Sequence, residues 1–168
     1  MRKTLSITVN NESGVLTRIS TVFSSRGFNI DSIAVGPTEN SGISKIIITL
    51  LGDHQIIEQI TKQLNKLVQV CEVNDITNSP CVERELMLIK VSTSLRTRSE
   101  IIELAEIFRS KIVDLSEKSI TIEVCGDPGK IIAIQQLLKP YKILEIVRTG
   151  KISIERELGV NTEYLKNT

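Results

Sequence analysis

The residues best suited to binding a small molecule are Asn11-Glu12-Ser13-Gly14, which lie between two stretches of different periodicity. Residues 3–9 alternate between apolar and polar types and predict a strand, whereas residues 15–25 place apolar side chains at helical spacing. A polar turn ending in glycine leaves the unpaired amides of a helix N-terminus facing outward, where they bind small anions such as carboxylates. The same local pattern is also typical of a simple capped loop, so both interpretations stay open.

Two further features favour a ligand at this turn. Gly14 leaves room for close approach to the backbone. Asn29 begins the second predicted strand, and the first and second strands of a βαββαβ sheet can present neighbouring ends. We therefore expect the Asn29 amide to hold an ammonium or carboxylate group over the helix start, a geometry that suits a free amino acid.

The sequence contains few residues that could act in catalysis. The single histidine, His54, follows Asp53 at a predicted helix start, which favours a solvated first-turn residue over a general base. Residues 126–130 superficially resemble a phosphate-binding loop but lack the four-residue spacer and the following Ser or Thr. They predict a turn in which Pro128 enters a helix. We expect a chain without catalytic residues.

The cysteines argue against metal and disulfide chemistry. Cys71, Cys81 and Cys125 form an odd set without a CxxC pair, which disfavours a disulfide framework, a zinc site and an iron–sulfur cluster. We interpret them as small, reduced hydrophobic residues. No metal or cofactor site is predicted in this chain.

The net charge and the aromatic content limit the classes of partner that this chain is expected to bind. The 21 basic and 20 acidic residues give a formal net charge of +1, so nothing favours nucleic acid or an anionic membrane. The first and third predicted strands carry no aromatic residue with which to stack RNA bases. The runs at 83–85 and 155–157 are interpreted most simply as solvated surface, and either could also contact a protein partner. No apolar run approaches the ~20 residues of a membrane span, and we expect a soluble protein made in a reducing compartment.

Periodicity organises the chain into two copies of one plan. In residues 1–77, strands are predicted over 3–9, 28–35, 43–51 and 68–76, with helices over 15–25 and after Asp53. Gly27 is suited to end the first helix, and Pro80 marks a boundary. The second copy comprises strands over 86–93, 111–115, 119–125 and 141–148 and helices over 99–110 and 129–138. A further short strand is predicted within 150–158.

Two consecutive βαββαβ units predict an α+β protein made of two tandem ferredoxin-like sandwiches, each with two helices on one face of a four-stranded antiparallel sheet. The predicted domains are 1–77, which binds the effector, and 82–158, which supports a partner contact or a dimer, followed by a polar tail over 159–168. Each domain is small and its sheet has open edges, which favours a homodimer.

Several motifs together resemble a known family. They are Asn11-Glu12-Ser13-Gly14-Val15-Leu16, Arg26-Gly27-Phe28-Asn29-Ile30, Val35-Gly36-Pro37-Thr38 and Val82-Glu83-Arg84-Glu85-Leu86. Residues 1–77 resemble an ACT domain, and the chain to about Ser153 resembles the regulatory small subunit of acetolactate synthase.

The resemblance implies a non-catalytic subunit that binds a catalytic large subunit carrying thiamine diphosphate, magnesium and FAD. It implies activation of that partner and feedback inhibition by valine in the biosynthesis of valine, isoleucine and leucine. The cell compartment would be a bacterial cytoplasm or a plastid stroma. A stand-alone tandem ACT regulator that senses amino acids is the alternative.

The resemblance also implies an effector site where two ACT domains meet. Asn11 and Gly14 would hold the polar end of the amino acid, with amides and wall from the four residues Glu12, Ser13, Val15 and Leu16. Asn29 and Ile30 would come from the partner chain. Gly36 stands where many relatives have alanine, so the pocket is expected to be slightly roomier there.

Overall fold

The computed structural model of the chain describes residues 2–157. Within that range the helices are α1 (Val15–Ser24), α2 (His54–Leu64), α3 (Arg98–Ile107) and α4 (Pro128–Leu138). The strands are β1 (Arg2–Asn10), β2 (Ile30–Pro37), β3 (Ile43–Leu51), β4 (Val70–Asp75), β5 (Cys81–Ser92), β6 (Lys111–Leu115), β7 (Ser119–Gly126), β8 (Ile143–Arg148) and β9 (Ile152–Glu155). The βαββαβ order occurs twice, as predicted.

The described residues divide into two compact units, residues 2–82 with 151–157, and residues 83–150. The prediction placed residues 150–158 in the second domain, but the structure groups 151–157 with the first unit. The Lys151 ammonium donates a hydrogen bond to the Thr4 hydroxyl at 2.9 Å, and the Arg156 amide donates to the Pro80 carbonyl at 2.8 Å. The predicted tail over 159–168 lies outside the described residues.

The first unit is an antiparallel sheet of strand order β2-β3-β1-β4. Alternation in β1 and β3 directs one face of the sheet to the helices, and β1 pairs with β3 in a regular register from Arg2↔Leu51 to Asn10↔Ile43. The fully buried side chains of the core are Leu5, Ile7, Val9, Ile19, Phe23, Ile46, Ile48, Leu50, Ile60 and Leu64. This aliphatic core fixes α1 and α2 on the same face.

Local signals in the sequence set the ends of these helices. Gly27, just beyond α1, has φ +69°, a left-handed conformation that glycine adopts without a Cβ penalty. The Asp53 carboxylate accepts a hydrogen bond from the Ile56 amide at 2.9 Å and caps α2. Both predictions are confirmed.

The second unit has the strand order β6-β7-β5-β8, and β9 also pairs with β5. Its core includes Met87, Ile89, Ile101, Ile122 and Ile134, all fully buried. The Asp127 carboxylate accepts from the Lys130 amide at 2.9 Å, and Pro128 occupies the first turn of α4. Residues 126–130 thus form the predicted turn into a helix.

Several boundaries differ from the prediction: β2 begins at Ile30 rather than at 28, so that Asn29 precedes the strand, and α3 ends at Ile107 rather than at 110. Three further differences arise because pairing and turns override local periodicity. β5 begins at Cys81, five residues before the predicted start at 86, since its first residues pair with β9. α3 begins at Arg98, and its N-cap Thr97 makes no side-chain capping bond. β8 begins at Ile143 because Lys139–Tyr141 forms a short 3-10 helix.

Glu85 was predicted as solvated surface, and this is wrong. Its side chain is 6% exposed and accepts two hydrogen bonds from Arg148, Nε to Oε1 at 2.6 Å and Nη2 to Oε2 at 2.9 Å. This bond raises the pKa of Arg148. Arg148 at the end of β8 pairs with Met87 of β5, so Glu85, two residues before Met87, lies within reach of the guanidinium. A local run of charges cannot reveal this cross-strand register.

The three cysteines are free thiols, as expected. Cys71 and Cys125 are exposed, and Cys81 is half-buried. Cys71 and Cys125 directly follow Val70 and Val124, which pack on the two cores, so each cysteine points to the opposite face of its sheet.

Candidate functional site

The loop between β1 and α1 is held from both sides by backbone hydrogen bonds. The Asn10 amide donates to the Gln69 carbonyl at 2.8 Å, and the Asn11 amide donates to the Gly42 carbonyl at 2.7 Å. Gly42 ends the β2–β3 connection, and Gln69 precedes β4. The loop therefore starts from a fixed position at the end of the interior strand β1.

The amides that follow are open. Within residues 2–157 no hydrogen-bond partner is found for the amides of Ser13, Gly14, Leu16 and Thr17. The N-cap Gly14 has φ +82° and makes no side-chain capping bond, and the first turn of α1 contains no acidic residue. Unpaired amides at a helix N-terminus carry partial positive charge, so this turn can accept a carboxylate.

Exposure separates the roles of the loop residues. The four positions from Asn11 to Gly14 are exposed, and an added Cβ at Gly14 would meet no atom within 4 Å. Val15 is 9% exposed and belongs to the core, whereas Leu16 is 43% exposed. Leu16 is thus the predicted wall residue that can contact a ligand, and Val15 positions the helix.

Asn29 and Ile30 do not lie beside this loop within one chain. Ile30 pairs with Leu50, which pairs with Lys3 at the beginning of β1, whereas the loop follows Asn10 at the other end. Seven residues of strand separate these ends, about 23 Å. The expectation that the first two strands present neighbouring ends is wrong, because β3 lies between them and β1 and β2 run in the same direction.

Gly36 does lie at the loop end of the sheet. It pairs with Lys45, and Lys45 pairs with Thr8 near the end of β1. A Cβ built on Gly36 would meet no atom within 4 Å, so alanine would fit there. The neighbouring Val35 is 51% exposed on an edge strand.

Sequence reasoning missed the residues that anchor the loop. Gln69 and Gly42 hold the loop only through their main-chain carbonyls, so their residue types give no signal in the sequence. The open amide of Thr17 is also a main-chain group and was missed for the same reason. Cys71 also approaches the loop, because its thiol donates to the Asn10 side-chain oxygen at 3.5 Å. The strand register, rather than composition, brings these groups to one place.

Three further observations on the described residues concern a catalytic histidine, a metal site and a membrane-spanning helix. His54 is the exposed first residue of α2, as predicted. Between residues 2 and 157, no group of three or more His, Cys, Asp and Glu side chains is arranged to hold a metal ion. In the same range no helix is long and apolar enough to cross a membrane.

Comparisons with known proteins cover both units. A family model described as the AHAS small subunit-like ACT domain matches residues 5–72. A second model, described as the small subunit of acetolactate synthase, matches residues 84–157.

Individual relatives agree with these family models. The chain is 48% identical over 160 residues to the acetolactate synthase small subunit of Aquifex aeolicus, covering 95% of this chain and 83% of that protein. It is similar in structure to the acetolactate synthase small subunit from Thermotoga maritima, with a TM-score of 0.83, 40% identity and coverage of 94% and 99% of the two chains.

A plant relative is much longer than this chain. Identity to the chloroplastic acetolactate synthase small subunit 2 of Arabidopsis thaliana is 51% over 156 residues. That match covers 93% of this chain and 32% of the plant protein, so the chain spans about a third of its length.

Proposed function

Because the chain belongs to the family of acetolactate synthase small subunits, we propose that it is the non-catalytic regulatory subunit of an acetolactate synthase. It binds a catalytic large subunit, raises the activity of that subunit and makes it sensitive to valine. Thiamine diphosphate, magnesium and FAD are assigned to the large subunit. The process served is the biosynthesis of valine, isoleucine and leucine.

The observation that carries the regulatory proposal is the set of open amides at the start of α1. Ser13, Gly14, Leu16 and Thr17 have no hydrogen-bond partner within the described range. A bound amino-acid carboxylate would satisfy these donors. The half-exposed Leu16 offers an apolar contact to a branched side chain.

A homodimer would complete this site. β2 is an edge strand that runs from Ile30 to Gly36 and Pro37, toward the loop end of the sheet. Antiparallel pairing of two β2 edges would place the beginning of the partner strand beside Gly36. The partner copies of Asn29 and Ile30 would then face the open amides, which a single chain cannot achieve across about 23 Å of sheet.

Valine regulation follows from a ligand that contacts two chains. Such an effector stabilises only the arrangement in which both halves of the site meet, by as much as its affinity for that arrangement exceeds its affinity for others. A coupling free energy of about 1–3 kcal/mol gives roughly 5- to 150-fold regulation. An extra methylene in the pocket changes affinity by only about 1–3 kcal/mol, so leucine and isoleucine are expected as weaker ligands.

The test combines effector binding with subunit binding. Calorimetry should show valine binding to the homodimer, and sedimentation should show that valine favours the dimer, because a ligand stabilises the state that binds it. Addition of the chain to its large subunit should raise acetolactate formation, and valine should reverse the increase. A well-folded chain that neither binds the large subunit nor changes its activity would contradict the proposal.

The stand-alone amino-acid-sensing regulator is not favoured, since matched relatives over most of this chain are named as small subunits. Relatives carry both bacterial and chloroplastic names. The proposed location is accordingly the bacterial cytoplasm or the plastid stroma, wherever the large subunit resides.

A further inference from the structure

The second unit contains a cavity that the effector site does not use. Its volume is about 260 Å³, and its lining comprises Ile132, Gln135 and Gln136 on α4, Lys139 in the 3-10 helix that follows, and Ile143 at the start of β8. The three α4 residues are spaced three and one positions apart and therefore lie on one side of the helix. Pockets for small organic ligands usually have about 300–1,000 Å³, so this cavity suits a single inserted side chain.

α4 is apolar on more sides than its own core requires. Ile131, Ile134 and Leu138 are fully buried in the second unit, yet Ile132 is 43% and Leu137 is 48% exposed. A helix that is apolar around most of its circumference is usually covered on its outer side as well. We therefore expect the cavity side of α4 to be covered by a partner.

An open sheet edge adjoins the cavity. β8 is the last strand of its sheet and pairs only with β5 among the described residues, which leaves its other side without a strand. Ile143 and Ile146 pack against the core on the helix side. An extended segment added to this edge would place every second side chain on that same side, next to Ile143 and the cavity.

The charges at this edge favour an acidic occupant. Lys139 lines the cavity and Lys142 immediately precedes β8. No carboxylate within residues 2–157 lies at ion-pair distance from either ammonium. Glu145 does not lie beside them, because its neighbour Ile146 packs on the core and successive side chains of a strand point to opposite faces of the sheet.

A second copy of β8 is a poor occupant of this edge. Antiparallel self-pairing would bring the end of the partner strand, which carries Arg148, beside Lys142. The Arg148 guanidinium is already paired with Glu85, and residues 146–148 include no acidic side chain that could meet the Lys142 ammonium. The complementary partner is a different chain that carries a carboxylate.

We propose that an extended acidic segment of the catalytic large subunit pairs with the free edge of β8 and inserts an aliphatic side chain into the cavity beside Ile132 and Ile143. A carboxylate of the same segment meets Lys139 and Lys142. This inference rests on the proposed function, since it names the surface through which the small subunit binds its partner.

The test compares two variants in the cavity with two matched controls elsewhere in the same unit. Ile132→Ser and Lys139→Glu change the cavity, whereas Ile107→Ser and Lys118→Glu change an exposed isoleucine near the end of α3 and an exposed lysine in the β6–β7 turn. Each full-length variant is titrated against the large subunit by calorimetry. Removal of a central interface side chain should weaken binding by about tenfold or more, and the controls should bind like the wild type.

Two parallel measurements separate this inference from the proposed function. Valine binding to each variant checks that the first unit is intact, and sedimentation checks self-association. If both cavity variants bind the large subunit as tightly as the wild type does, the inference is wrong, whereas the proposed function is unaffected. Loss of self-association instead of partner binding would also overturn it, in favour of a second copy. A wild-type chain with no affinity for the large subunit would defeat both.

Discussion

Replacement of Gly14 by aspartate or asparagine tests whether the start of α1 binds a carboxylate. Gly14 has φ +82°, and no atom lies within 4 Å of a Cβ built there. Both side chains therefore fit without a clash, and both tolerate the left-handed conformation better than other residues do. Their strain should be similar, at about 1–2 kcal/mol or less, so the difference between the two variants isolates the charge.

The size of that charge effect follows from the exposure of the loop. Two carboxylates about 4 Å apart repel by roughly 1 kcal/mol in water and roughly 4 kcal/mol at a protein surface of effective dielectric constant about 20. The loop positions are exposed, which favours the lower part of this range. We expect Gly14→Asp to bind valine about 5- to 30-fold more weakly than Gly14→Asn, with a smaller difference at high salt.

The free energy of unfolding should be equal or higher in Gly14→Asp, although its valine affinity is lower. A negative charge near a helix N-terminus stabilises the helix by about 0.3–1 kcal/mol, so Gly14→Asp should unfold at equal or higher urea concentration than Gly14→Asn. Valine affinity is measured by calorimetry and stability by urea unfolding. Gly27→Asp provides a control, because Gly27 has a similar φ of +69° and lies beyond the other end of α1. Equal valine affinity of the two Gly14 variants would refute the electrostatic reasoning.

Three other predictions concern the scaffold. Asp53→Ala should lower the free energy of unfolding by about 1 kcal/mol because it removes the cap of α2, while Asp53→Asn should retain most of it; urea titration decides, and equal loss in both would contradict the capping role. Arg148→Ala should lower stability by up to about 3 kcal/mol because it leaves Glu85 buried without its partner, and recovery in the Glu85→Gln/Arg148→Ala double variant would support this cause. The hydrogen bond to Glu100 raises the pKa of Tyr141. The stability that this bond contributes is therefore present below the ordinary tyrosine pKa and is lost as the pH rises through the raised pKa. Glu100→Gln should move the ultraviolet titration of tyrosine to lower pH, and an unchanged curve would exclude the contact in solution.

Strands and helices could be predicted where local chemistry decides them. The alternating residues of β1 and the cap Asp53 carry their own signals, because side-chain period and capping depend on neighbours in sequence. Chain order then predicted two βαββαβ units. The start of β5 at Cys81 could not be predicted, because it depends on pairing with β9, some seventy residues later in the chain.

The candidate site was found only in part from the sequence. The polar run from Asn11 to Gly14 is visible locally, and the structure keeps its amides open. Its anchors at Gln69 and Gly42 are main-chain groups that no residue type announces. The pairing of Glu85 with Arg148 was likewise hidden, because cross-strand register joins residues 63 positions apart.

By itself, the sequence determined the α+β class, the repeated unit and the glycine turn before α1, since each depends on short-range periodicity and backbone preference. Only the tertiary structure decided that Asn29 and Ile30 lie at the far end of the sheet from that turn. The reason is physical: β3 pairs between β1 and β2 and makes them run in the same direction, so the end of one strand cannot meet the beginning of the other within a single chain.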